Sequence, residues 1–309
     1  MSMFNKKQRP GWLCLNLHAD RVDLSHVLVA GKPRPEILLC ESFRKEGSDV
    51  DMLKRLRKEL SLDRYQCITV LKTSQYQMFT VDAPNVPAAE AKNAVRWSLK
   101  DMIDYPVETA MIDSVNVPGG DKAGRAAQML AVAARNDAIA TTVKPFNEAD
   151  IDLEVIDIPE LAQRNVAKLL EEEGRCLAML CFDDAGALLT FTSGGELYQA
   201  RQIEVSLQDF VSGTDIEARY DRVALELQRS LDNFDRQFRS VAVSRLMVSQ
   251  VPDSARLVEY LSANLTVPVS LLDLEQVVDF PGVPELRDPL RQSQCLQMIG
   301  AAMREERAI

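Results

Sequence analysis

The sequence predicts an α/β protein built from two similar halves, and three observations carry that prediction. A β-meander followed by a helix occurs twice, first from Trp12 and again from Arg175. Between them lies a stretch whose pattern reads α-β-β-α-β and which opens at the paired prolines of APNVP, residues 83–87. No low-complexity linker separates the parts, and 309 residues, 46% of them apolar, are ample for two packed lobes.

The elements follow in order. Apolar and polar residues alternate through LCLNLHADRVDLSHVLV and EILLCESF, as half-buried strands require. The connections AD and GKPRP are tight enough to make these three strands an antiparallel meander. The period turns helical in VDMLKRLRKEL, and strands return in CITVL and YQMFTV. After Ala83, an amphipathic helix runs to about Met102, with Val95, Leu99, Met102 and Ile103 on one face. Strands TAMIDSVNV and AQMLAVAA, joined by the polar turn PGGDKAGR, precede a helix over 136–148 and the strand LEVIDI. PELAQRNVAKLLEEEG is a helix ended by Gly174. RCLAMLCF, ALLTFTS and ELYQARQI form the second meander. The remainder reads as a long helix over 218–240, strand SRLMVS, helix ARLVEYLSANL, strand VPVSLLD and a closing helix over 292–305.

Composition narrows the function. A net charge of −10, from 46 acidic and 36 basic residues, repels a phosphate backbone, so nucleic acid is not the expected ligand. Six dispersed cysteines with no CxxC pair, and only two histidines, predict reduced buried thiols and no metal centre. No run of ~20 apolar residues predicts a membrane span. The N-terminus has positive charge but no apolar run, so it is not read as a secretory signal, and Lys6, Lys7 and Arg9 are expected in a solvated lead-in, with contact to anionic lipid as the alternative. GxxxxGK[ST], GxGxxG and GxSxG are all absent, and His18 and His26 both fall in the first meander, where neither is expected to act as a base.

The order of elements resembles that of actin-like proteins of the FtsA and PilM type, which share the ribonuclease H-like core. The residues strengthen the likeness: KNAVRWSLKDMIDYPVETAMIDSVNV, QMLAVAARNDAI and LEVIDI resemble the PilM pattern, as do VALELQRSLDNF and QCLQMIGAAMREE in the second half. The resemblance implies a two-lobe actin-like fold with an inserted α-β-β-α-β subdomain. Its parts would be a first lobe over 1–83, the insert over 84–156, a helix completing the first lobe over 157–174, a second lobe over 175–290 and a C-terminal helix over 291–309 returning to the first lobe.

Nucleotide sites of that fold use hairpin loops in which a carboxylate holds magnesium or water and glycine lets backbone approach phosphate. The resemblance places Asn16 at the first aspartate, His18 at its glycine and Asp23 near a phosphate-contacting lysine. In the second loop Cys181 stands at the aspartate and Asp183 at the glycine, with Ala185, Gly186 and Ala187 in place of hydroxyl-bearing residues. A slip of two residues would instead offer Asp183 or Asp184 as the magnesium carboxylate. Gln250, Val251 and Pro252 occupy the Gly-Gly turn that cups adenosine. The expectation is a degenerate site with no catalytic residue, no metal and no cofactor; the alternative is ATP with magnesium in an aberrant site.

The resemblance also implies a partner: the short cytoplasmic tail of a PilN-like bitopic inner-membrane protein, held in a groove between the first lobe and the insert, with other pilus assembly components beyond it. Trp97, Met102, Ile103, Tyr105 and Pro106 supply the large side chains that anchor pockets use, although packing of the insert's own core asks for the same residues. Arg96 and Lys100 either pair with carboxylates across that groove or are solvated. A protein of this kind is cytoplasmic and peripheral to the inner membrane. The cytoplasmic half of a type II secretion assembly protein has a similar fold but continues into a membrane span, whereas this sequence is read to Ile309.

Overall fold

The structure is a computed structural model that describes residues 9–119, 127–211 and 215–305; Lys6, Lys7 and most of the turn at 118–125 lie outside them. The strands are β1 (Trp12–Leu17), β2 (Arg21–Leu28), β3 (Glu36–Arg44), β4 (Gln66–Val70), β5 (Tyr76–Asp82), β6 (Ala110–Val117), β7 (Gln128–Arg135), β8 (Leu153–Asp157), β9 (Cys176–Phe182), β10 (Ala187–Ser193), β11 (Glu196–Ile203), β12 (Val243–Val248) and β13 (Val269–Leu271). The helices are α1 (Asp49–Leu60), α2 (Ala88–Leu99), α3 (Asn136–Glu148), α4 (Pro159–Ala167), α5 (Leu207–Val211), α6 (Ile216–Gln237), α7 (Ser254–Asn264) and α8 (Pro289–Ala302). The chain divides into two compact units: residues up to 45, 64–70 and from 154 onward form one, and residues 46–63 with 71–153 form the other.

The first unit holds two five-stranded sheets with the same plan, ordered β3-β2-β1-β4-β8 and β11-β10-β9-β12-β13. In each, a meander of antiparallel strands is extended by a parallel strand, β4 on β1 and β12 on β9. The repeated meander is the one that alternation predicts. β9, CLAMLCF, is buried along its whole length, which explains its nearly continuous apolar run.

Two helices bind these sheets together. α8 packs on β1, β2 and β4, and α4 packs on β10, β11 and α8. One apolar cluster runs from Cys14, Ile37 and Ile68 through Ala162, Val166, Leu296 and Ile299 to Leu177, Met179 and Met247. The helices cross at Gly300, where an added Cβ would lie 2.1 Å from the Ala162 carbonyl oxygen, and the Asn165 amide donates to the Gly300 carbonyl at 2.9 Å. Glycine is required there for close backbone approach rather than for its φ. A second cluster, from Phe182, Phe191 and Leu246 to Tyr220, Leu227 and Phe234 of α6, fills the other face of the second sheet.

The second unit is a three-stranded antiparallel sheet, ordered β5-β7-β6. Val95 and Leu99 of α2 bury against Ala110, Ile112, Ala131 and Ala133, while α3 packs on β6, β7 and α1. α1 starts at a capping box, Ser48 with Asp51, in which two otherwise orphaned N–H groups are satisfied reciprocally.

The order α-β-β-α-β after Ala83 is as the sequence predicts, but two strands change places in the pairing. β5, which precedes the prolines, joins β7 through seven unbroken pairs, Tyr76↔Ala134 to Asp82↔Gln128. β8 leaves that unit and borders β4 in the first sheet. α8 begins three residues earlier than the periodicity suggests because Asp288 caps it, accepting from the Leu290 N–H at 3.0 Å, with Pro289 at the first helical position. Arg9 is docked rather than solvated: its N–H donates to the Arg64 carbonyl at 2.7 Å and its guanidinium lies 4.9 Å from the Tyr65 ring centroid. The six cysteines are buried and none is in a disulfide. Among the described residues no helix is long and apolar enough to cross a membrane.

Candidate functional site

The two hairpin loops singled out by the sequence meet in the first unit. In the β1–β2 loop, Asn16 Oδ1 accepts the Val70 N–H at 3.1 Å, so this side chain ties the end of β1 to the end of β4. His18 Nε2 lies 3.0 Å from Asp23 Oδ2, and Arg21 Nε donates to the same oxygen at 3.1 Å. Lys45 Nζ donates to the His18 carbonyl. Burial alone would raise the Asp23 carboxyl, but hydrogen bonds from His18 and Ser42 and the nearby His18 and Arg21 charges bring it down to about 2.

That depression has a stability consequence. An aspartate that ionises near 3.9 when unfolded and near 2 when folded stabilises the native state above the unfolded value, and the contribution is lost as the pH falls from about 4 through about 2. Asp23→Asn is therefore expected to lower the melting temperature at pH 6 and to flatten its decline between pH 4 and 2. A variant whose acid limb parallels that of the parent protein shows that Asp23 carries no such linkage.

The β9–β10 loop is self-contained. Cys181 is buried, and burial pushes its thiol well up. Asp183 Oδ1 accepts the N–H groups of Ala185 (2.7 Å) and Gly186 (3.0 Å), and its Oδ2 accepts from Gln297 Nε2 of α8 at 2.8 Å. Gly186 has φ +154°, and an added Cβ would stand 2.9 Å from the Ile203 carbonyl oxygen. Arg21 Nη2 reaches Asp184 Oδ2 at 3.9 Å, which joins the two loops. The third turn abuts them: Ser249 N–H donates to the Leu180 carbonyl at 2.9 Å, and Ser249 Oγ accepts the Phe182 N–H at 3.0 Å. Val251 is buried there and its N–H donates to Ser254 Oγ at 2.8 Å; Gln250 and Pro252 flank it, half-buried.

Arg21 thus ties the first loop to the second, Ser249 ties the third turn to the second, and Gln297 adds a bond from α8 to Asp183. The first-loop residues are held by one another, by Val70 and by Lys45, and the second loop by its own backbone and by α8. Among the described residues no three metal-ligating side chains converge. Gln297 sits more than a hundred residues from Asp183, and the alanine-rich pattern of α8 carries no signal for this bond.

The five partner-surface residues divide. Trp97 is 69% exposed and Met102 44% exposed, and Pro106 is also exposed. Ile103 and Tyr105 instead belong to the core of the second unit. Val95, Leu99 and Ile103 make the buried stripe at spacings of four, which leaves Met102 outside it. The Arg135 guanidinium lies 4.2 Å from the Tyr105 ring centroid, and Lys100 Nζ lies 5.4 Å from that of Trp97. Arg96 is half-buried and among the described residues pairs with no carboxylate: its Nη1 donates to the carbonyls of Val107 (2.7 Å) and Ala110 (3.2 Å).

Comparison with known proteins bears on both regions. Residues 35–190, half of the chain, match the model of a family described as type IV pilus assembly protein PilM. Among solved structures, a chain of a PilM–PilN type IV pilus biogenesis complex aligns with a TM-score of 0.74 at 20% identity, over 96% of this chain and 98% of that one. A Bacteroides thetaiotaomicron protein with an actin-like ATPase fold and unknown function aligns with a TM-score of 0.51 at 10% identity, over 94% and 99%. No curated protein matches the sequence. At these identities the structural likenesses speak for the fold, which is actin-like.

Proposed function

The chain belongs to the family of the type IV pilus assembly protein PilM, and we propose that it works as a non-enzymatic scaffold that binds the cytoplasmic tail of a PilN-like single-span protein of the inner membrane. It would stay cytoplasmic and peripheral to that membrane, held by the tail and in turn holding other pilus assembly components. The likeness of nearly the whole chain to PilM-like proteins such as MshI supports a pilus of the mannose-sensitive haemagglutinin type.

The observation that carries the scaffold reading is the fate of Asp183. It is the carboxylate best placed to hold magnesium, yet both its oxygens are engaged, by Ala185, Gly186 and Gln297. With three of its about four lone-pair sites taken, the carboxylate could grip magnesium through both oxygens only by giving up a loop bond. Asn16 and Cys181 supply no charge to help it, since a neutral amide and a buried, protonated thiol stand where carboxylates are needed.

The test is a thermal shift with magnesium ATP beside retention on the immobilised tail. A ligand at a hundred times its Kd raises stability by about 2.7 kcal/mol, a shift easily read. Millimolar magnesium ATP is expected to leave the melting temperature unchanged, and tail retention is expected to be equal with and without it. A magnesium-dependent isotherm in the micromolar range overturns the non-enzymatic reading.

A further inference from the structure

We propose that residues 272–288 form a strap that fastens the second sheet to the edge of the first, so that the two meanders are held together by the chain itself rather than by a ligand; this rests on the reading that the protein works without a nucleotide. β3 is the outer strand of the first sheet and β13 that of the second. The chain leaves β13 with Leu272, whose N–H donates to the Val248 carbonyl at 2.8 Å, and reaches β3 at Asp279. There the Ile37 N–H donates to the Asp279 carbonyl at 2.7 Å and the Asp279 N–H to the Pro35 carbonyl at 2.8 Å, which makes a parallel bridge on the edge of the sheet. Arg34 reinforces it: its guanidinium donates to the carbonyls of Glu275 and Val278 and lies 3.4 Å from the Asp279 carboxylate.

One buried side chain pins both halves of the strap to α8. Gln292 Oε1 accepts the Leu274 N–H and its Nε2 donates to the Leu286 carbonyl, each at 2.8 Å. α8 itself packs on β1, β2 and β4, so the strap is tied to the first sheet twice, at its edge and through this helix. Leu274, Val278, Phe280, Val283 and Leu286 are buried in the apolar cluster that both sheets share. That burial supplies most of the hold, since a partly exposed ion pair such as Arg34–Asp279 contributes little. Prolines stiffen both sides of the contact: Pro33 and Pro35 flank Arg34, and Pro281, Pro284 and Pro289 punctuate the strap and the start of α8. A chain with φ fixed at these positions has less freedom to lose on fastening.

The consequence lies at the loops. Two-lobed proteins commonly close about a ligand by hinge motion, and the ligand supplies the contacts that favour the closed state. Here groups of the chain supply such contacts: Arg21 reaches Asp184 at 3.9 Å, Gln297 donates to Asp183 at 2.8 Å, and the strap, α4 and α8 hold the sheets that carry these loops. A closed state stabilised in this way leaves a nucleotide no population to shift. The first unit is then a rigid mount, and components bound to it keep a fixed spacing whatever the nucleotide concentration.

The experiment uses the full chain with nitroxide labels at Glu41→Cys and Gln202→Cys, exposed positions on the outer strands β3 and β11. The six native cysteines are buried and stay unlabelled in the folded protein. Double electron–electron resonance is expected to give one narrow distance, equal with and without millimolar magnesium ATP. Arg34→Ala and Gln292→Leu are each expected to keep the far-ultraviolet dichroism of the parent protein, to add a second, longer distance, and to speed hydrogen exchange of the Ile37 and Asp279 amides at least tenfold while leaving the β9 amides unchanged. Arg34→Ala removes only a partly exposed side chain, so its readouts decide the matter even where Gln292→Leu fails to fold. Variants that keep the parent's exchange and distance assign the hold to α4 and α8 alone and overturn the strap. A variant that exchanges faster yet keeps the parent's distance shows a segment that frays without fastening the sheets, and overturns it too. A broad or two-peaked distance in the parent protein also overturns it; if magnesium ATP then narrows that distribution the non-enzymatic reading falls as well, and if it does not, that reading stands.

Discussion

Gln163→Ala is expected to destabilise the first unit by about 3 kcal/mol. Gln163 lies on α4 with no exposed surface, and its Nε2 donates to the Met179 carbonyl (2.8 Å), the Leu188 carbonyl (3.2 Å) and Thr190 Oγ1 (2.9 Å). Truncation leaves the buried Thr190 hydroxyl without this donor, at about 1–3 kcal/mol, and opens a cavity between α4 and the second sheet. Gln163→Leu keeps most of the volume, so the difference between the two variants separates packing from hydrogen bonding. The chain has two tryptophans, and Trp12 is buried while Trp97 is already exposed, so fluorescence during urea unfolding reports mainly on the first unit. A loss below about 1 kcal/mol for the alanine variant would show that the helix is positioned by the Gly300 crossing and its apolar neighbours alone.

The strands were legible because apolar and polar residues alternate at a period of two, as in RVDLSHVL, even though Val22 to Val27 are all buried in the fold, and the helices because Val95, Leu99 and Ile103 or Met52 and Leu56 recur every four residues. Pairing partners were not, because alternation says which face is buried and nothing about the neighbour. β5 looks equally suited to β4 and β7, and its place is settled by a register with β7 that only three-dimensional closure reveals. The same limit governs the loops. Asn16, His18, Asp23, Cys181 and Asp183 were singled out because the resemblance to actin-like proteins carries that fold's hairpin-loop positions onto this sequence. Ser249 and Gln297 reach the second loop from distant elements and carry no local mark. In the second unit, a cluster of large side chains between Trp97 and Pro106 does not distinguish core from surface. The spacing of four does, and it separates Ile103 from Met102.

That distinction yields opposite expectations for two aromatic residues eight positions apart. Tyr105 packs with Ile103, Val107 and Ile112, and its ring carries the Arg135 guanidinium on one side. Tyr105→Ala is expected to destabilise the second unit by about 3 kcal/mol or more, the usual loss for a buried aromatic, to which the cation–π contact adds. Its hydroxyl is buried without a hydrogen-bond partner among the described residues, so Tyr105→Phe is expected to be neutral or slightly stabilising. Trp97, in contrast, has little native contact to lose, and Trp97→Ala is expected to change stability by less than about 0.5 kcal/mol while weakening tail binding tenfold, about 1.4 kcal/mol. Hydrogen exchange of β6 and β7, measured with tail affinity on both variants, decides the matter. If Tyr105→Ala exchanges like the parent protein, the ring lies outside the core. If Trp97→Ala binds the tail with full affinity, the exposed ring is not the anchor.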